Sequence, residues 1–214
     1  MRMTLAGVSL MFSIGGYACS AGGISVSTHT IGFWYEADAF LLSPEAVERL
    51  GGPISATDER SIEGTSRSEI ERAFSELTIT LTADDNAFWR VQVVKSLPVR
   101  SNRQRPAAGE SLPLGFLGGV GNVGFDFVAA KAIDYAPPDA ARPDIIEAIG
   151  RGVGRVAVHE FIHQILGTAF SDDYSDDNTY EYGRPDRPSQ YYGELHWGTA
   201  WPLLQDRIGK RVAR

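Results

Sequence analysis

At 214 residues and 43% hydrophobic content, the chain holds enough apolar surface for one well-formed core and too little for two. A formal net charge of −7 with mixed rather than blocked charges offers no basic stripe to neutralise phosphates, which argues against nucleic acid as a partner. The single cysteine, Cys19, excludes a disulfide within the chain and, in practice, a thiol nucleophile.

Residues 4–18 form an uncharged, apolar stretch behind Arg2. Its length suits the apolar region of a signal peptide and falls short of a membrane span. Cys19 follows directly, and a lone cysteine there resembles the lipid-attachment site of bacterial lipoproteins. Ala18 fits that pattern, whereas Gly16 stands where leucine is usual and Tyr17 is bulky. The expectation is a bacterial cell-envelope protein, lipid-anchored through Cys19, with simple secretion as the alternative. Residues 1–18 would be the signal, 19–30 a tether rich in small polar residues, and 31–214 one domain.

Along that domain, residues 31–35 are β-prone. Ser43 then caps a helix that starts at Pro44 and stops before Gly51. Residues 52–64 read as a polar loop, and Ser68-Glu69-Ile70-Glu71 reads as a capping box opening a short helix to about residue 77. Residues 78–82 alternate as a strand, Asp84-Asp85-Asn86 makes a turn, and residues 88–94 return as a second strand. Residues 98–113 read as a basic, proline-containing loop, and 114–133 as a glycine-broken pair of β segments. Within these, Gly119-Val120-Gly121-Asn122-Val123-Gly124 matches the dinucleotide-binding fingerprint G-x-G-x-x-G. That motif needs a helix opening at its third glycine within a βαβ series. Residues 125–128 instead read as continuing strand, which favours a turn or an edge strand lining a cleft. Pro137-Pro138 and Pro143-Asp144 close this region and open a long helix, residues 144–166. No internal repeat is visible.

The chemistry lies in that helix. Residues 156–166 read V-A-V-H-E-F-I-H-Q-I-L, polar only at His159, Glu160, His163 and Gln164. Residues four apart share a helix face, so His159 and His163 can direct ring nitrogens at one ion. Glu160 sits about 100° round the helix, close enough to hold a water on that ion. Polar groups in so apolar a stretch are costly without partners, and a metal satisfies all three. Histidines serving as ordinary core or surface groups are the bland alternative. The pattern is the H-E-x-x-H of zinc-dependent hydrolases. A serine hydrolase finds no support, because no G-x-S-x-G occurs.

With this motif, the order of short helices, several strands, motif helix and loop-rich C-terminal part resembles the zincin metalloprotease fold. That resemblance implies an α+β domain in which a mixed twisted sheet packs on the active-site helix, followed by a final helix near residues 199–211. It also implies Zn2+ held by His159 and His163, with Glu160 as catalytic base and a peptide or protein as substrate. In the metzincin branch the motif continues x-x-G-x-x-H or D. Here Gly167 comes one residue late, Ala169 occupies the ligand position, and all three methionines (Met1, Met3, Met11) precede Cys19. The chain is metzincin-like without the full signature.

Catalytic zinc commonly takes three protein ligands and a water. Gly167 is a good helix C-terminal residue, and five residues beyond it Asp172 can return over the metal, so Asp172 is the leading third ligand. Asp173, Glu181, Glu194 and His196 are the alternatives, and the acidic run 172–177 could also be a solvated or calcium-binding loop. Tyr191, Tyr192 or His196 could stabilise an oxyanion or simply pack in the core. A non-catalytic surface lipoprotein using the same cleft for binding is the competing function.

Overall fold

The computed structural model describes residues 29–98, 107–114 and 118–211. The expected signal segment, Cys19, nearly all of the tether and half of the basic loop (residues 99–106) lie outside the described residues. Among the described residues no helix is long and apolar enough to cross a membrane.

The domain is mixed α/β, with one five-stranded, mostly parallel sheet. Strands β1 (His29–Tyr35), β2 (Ile79–Thr82), β3 (Trp89–Val94), β4 (Gly109–Pro113) and β5 (Gly119–Gly124) lie in the order β2-β1-β3-β5-β4. The first four in that order run parallel, and β4 closes one edge antiparallel to β5. In β3 the alternation of the sequence becomes burial: Trp89, Val91 and Val93 face the core, and the residues between them are half-exposed. Residues 109–113 lie where a loop was expected. Gly-Glu-Ser-Leu-Pro has weak β propensity, and pairing with β5 makes it a strand.

Six helices accompany the sheet among the described residues. α1 (Pro44–Leu50) forms as its capping residues predict: Ser43 Oγ accepts from the Ala46 amide, and Gly51 takes the left-handed conformation at φ 77°. α2 (Ala56–Ala73) corrects the expected loop and short helix. It is one helix, opened by a capping box between Ser55 and Asp58, and the Ser68–Glu71 pattern lies in its interior. α3 (Phe125–Asp134) replaces the expected second β segment. Phe125, Val128, Ala129, Ala132 and Ile133 bury one face at helical spacing, a periodicity hidden by reading Phe125-Asp126-Phe127-Val128 as alternating strand.

α4 (Arg142–Leu166) is the long helix, buried along most of its length between the sheet on one side and α2 and α3 on others. A helix apolar nearly all round is a core helix. α2 lies along it, tied by Ser66, whose hydroxyl reaches the carbonyl of Gly150 at 2.9 Å. Two short helices, α5 (Ser189–Tyr192) and α6 (Ala200–Ile208), pack on α4 from the C-terminal part.

A buried ion pair fastens α2 to α4. Arg155 Nε donates to Glu69 Oε1 at 2.9 Å, with only 2% and 6% of the two side chains exposed. Arg72 donates to the same carboxylate at 2.7 Å. Burial alone would raise the Glu69 carboxyl; Arg155 and Arg72 outweigh it and hold the group below its ordinary range. A carboxyl depressed in the folded state contributes stability above its unfolded pKa and loses it as the pH falls through the folded value. Glu69→Ala, which strands Arg155 in the core, should destabilise the fold by about 3–5 kcal/mol in denaturant titrations. Glu69→Gln should reduce the loss of stability on acidification below about pH 4.

Candidate metal centre and cleft

Because α4 is regular through residues 159–163, the two histidines stack one turn apart and their Nε2 atoms come within 3.1 Å. Gly167, at φ 57° and ψ −129°, then turns the chain out of the helix into a 3-10 turn at Gly167–Ala169. Extended Phe170 leads back, and Asp172 Oδ1 arrives 3.0 Å from His163 Nε2 and 3.5 Å from His159 Nε2. The three donor atoms thus form a nearly equilateral triangle. Tetrahedral ligands at ~2.0–2.1 Å from a zinc ion stand roughly 3.3 Å apart, so the triangle fits one such ion. It is the only group of three potential ligands gathered in this way among the described residues.

The electrostatics match. The histidines hold the Asp172 carboxyl, His159 foremost, far below the usual carboxylate range. Burial disfavours the His159 imidazolium, yet Asp172, Glu160 and the Tyr180 carbonyl together raise its pKa. The surroundings therefore favour positive charge at this point, whether a proton or a metal supplies it.

Orientation comes from the chain that follows. His159 Nδ1 donates to the Tyr180 carbonyl at 3.0 Å, since a carbonyl can only accept, and this leaves the Nε2 lone pair to face the cluster. Tyr180 is fixed in turn. Its amide donates to the His196 carbonyl, its ring lies 4.8 Å from that of Trp197, and its phenol donates to Glu69 Oε1 at 3.1 Å. The buried ion pair under α4 is therefore two links from the His159 ring. Phe170 packs edge-on against both imidazoles, and the Tyr174 phenol donates to Asp172 Oδ2 at 2.8 Å.

Glu160 is 5% exposed and borders a cleft of about 730 Å3. β4 forms one wall, α3 and α4 the floor, and residues 172–190 the other wall. A side chain at Gly109 would collide with Glu160 Oε1, so glycine at this point of the edge strand is what lets the carboxylate sit there. Ser111 Oγ donates to the Glu160 carbonyl at 3.1 Å and binds β4 to the helix.

The same logic accounts for the G-x-G-x-x-G run. α3 does open directly after Gly124, contrary to expectation, and β5 is an interior strand rather than an edge. No strand follows α3 among the described residues, so β5 and α3 do not open a βαβ unit. Gly119 and Gly121 make room for Gln164 of α4, whose amide pairs with the backbone of Arg90 on β3.

The other candidates lie elsewhere. Asp173 turns to Ser175, Glu194 is exposed beside Arg72, and His196 meets Asp176 at 3.2 Å on the surface. Glu181 is fully buried and accepts the amides of Gly198 and Ala200 at the start of α6. Tyr191 donates to the Pro185 carbonyl and Tyr192 to that of Ala132, and neither lines the cleft. The phenol beside the cluster is Tyr174, which sequence reading passed over, although its place two residues after Asp172 was a usable signal. Tyr180 acts through its backbone, which no side-chain pattern announces.

No family model matches the chain, and no curated protein matches it in sequence. The site's own geometry is the ground for a function.

Proposed function

We propose that the protein is a zinc-dependent peptidase with a zincin-like arrangement of sheet and motif helix. One observation carries the reading: His159, His163 and Asp172 converge on a point beside the buried carboxylate of Glu160, at the floor of an open cleft. His159, His163 and Asp172 would hold the ion. Zinc bound there would supply a Lewis acid that polarises a carbonyl and brings the pKa of a coordinated water to about 7. Glu160 takes the proton from the attacking water and passes it to the leaving amine. Tyr174 and the Tyr180 carbonyl hold the ligands in place. β4, at the sheet's edge along the cleft, offers its backbone to an extended peptide, which would add to it as a further strand. The uncharged, apolar segment before Cys19, with small residues Ala18 and Ser20 on either side of it, supports a place for this domain at the cell envelope, anchored by lipid.

The test is metal removal. Hydrolysis of a quenched-fluorescent peptide library should vanish after dialysis against 1,10-phenanthroline and return with one equivalent of Zn2+. A folded protein that takes up no stoichiometric zinc, measured by elemental analysis, sinks the reading.

A further inference from the structure

From the histidine pair the cleft continues past Phe127 and Lys131 of α3 towards residues 182–186. Most charges along it are already matched. Lys131 bonds Asp134 at 3.0 Å, Asp186 faces Arg187, and Arg155 is taken by Glu69 and by the carbonyls of Ser189 and Gly193. Asp172 is held by the two histidines and Tyr174.

Arg184 differs. Among the described residues its guanidinium makes no hydrogen bond and no ion pair, although Asp172 packs against the neighbouring Gly183. It lies over the Tyr174 ring, 4.8 Å from the centroid. Stacking on a ring orients the planar fork and leaves its N–H donors open at the edge. The ring that carries Arg184 also bonds Asp172 through its hydroxyl. The exposed guanidinium thus sits in the wall of the cleft, against the ring that bonds Asp172, in a chain with a net charge of −7.

We propose that Arg184 recognises a carboxylate on the substrate, so that the cleft selects peptides with an acidic side chain or a free C-terminus beside the bond to be cut. The identity of the ligand as a peptide rests on the peptidase reading above; the unpaired cation in the cleft wall does not. Guanidinium and carboxylate match as two parallel N–H···O bonds, a pairing that an amide cannot reproduce.

Binding separates the two claims. Fluorescein-labelled pentapeptides are titrated by anisotropy against the full-length, zinc-loaded Glu160→Gln protein and against wild type. The probes are Ala-Ala-Glu-Ala-Ala amide, Ala-Ala-Gln-Ala-Ala with a free C-terminus, and the neutral Ala-Ala-Gln-Ala-Ala amide. At least one carboxylate-bearing probe should bind about tenfold tighter than the neutral one, and which one does so identifies the source of the carboxylate. Arg184→Gln should erase the preference without changing affinity for the neutral peptide, and Arg184→Glu should favour Ala-Ala-Lys-Ala-Ala amide, a reversal that structural damage cannot produce. Equal binding of all three probes by wild type, or a preference that survives Arg184→Gln, overturns the proposal. Selective binding through Arg184 with no cleavage of any peptide would leave it standing and remove the peptidase reading. Cleavage of neutral and acidic peptides alike would do the reverse.

Discussion

Replacing Glu160 with glutamine should lower peptide turnover at least ~100-fold, the low end for losing general acid–base catalysis, while zinc content and melting temperature stay near wild type. Glutamine has nearly the volume of glutamate, so the space made by Gly109 still accommodates it and β4 keeps its seat on α4. What disappears is the group that can take a proton from water and return it to the leaving amine. The measurement is kcat on a cleaved peptide together with elemental analysis of the same preparation. Unchanged hydrolysis with metal still bound would exclude Glu160 as the base. A wild-type protein that binds zinc and peptide yet cleaves nothing would favour the binding module over the enzyme.

The second large effect concerns the ion. His163→Ala removes one of three donor atoms that stand 3.0–3.5 Å apart, and zinc affinity should fall by more than ~100-fold in competition with a chromophoric chelator. Its side chain is 28% exposed, so the fold should survive the truncation. Asp172→Ala should weaken zinc in the same direction, and His196→Ala should leave it unchanged, because the His196 ring meets Asp176 on the surface instead. If Asp172→Ala binds zinc normally while His196→Ala does not, the ligand assignment fails and a three-histidine site replaces it.

These two experiments differ in how far their residues could be read from the chain. His159, Glu160 and His163 lie within five residues on one helix, and the 3.6-residue period alone puts both imidazoles on one face. Asp172 could only be favoured, because its neighbour Asp173 has the same chemistry and reach. In the structure Asp173 turns to Ser175 and Asp172 turns to the histidines, a distinction set by how Gly167 and Phe170 redirect the backbone. Glu181 looked like a distant ligand and is instead buried at the start of α6, a role visible only once residues 179–182 and 196–200 are side by side.

By itself the sequence determined the elements whose signals are local. Ser43, Pro44 and Gly51 bound α1, alternation marks β2 and β3, and the apolar run after Pro143 marks α4. α3 carries its helical spacing in the sequence, where the short run from Phe125 to Val128 competes with it. Only the tertiary structure decided β4, whose five residues have little strand propensity until β5 pairs with them. It also decided the fittings of the site: Gly109 beneath Glu160, the Tyr180 carbonyl on His159, and Tyr174 between Asp172 and Arg184. The physical reason is range. Periodicity and capping act over a few residues, whereas these contacts join positions far apart in the chain or depend on backbone direction, and packing rather than residue type settles which of them form.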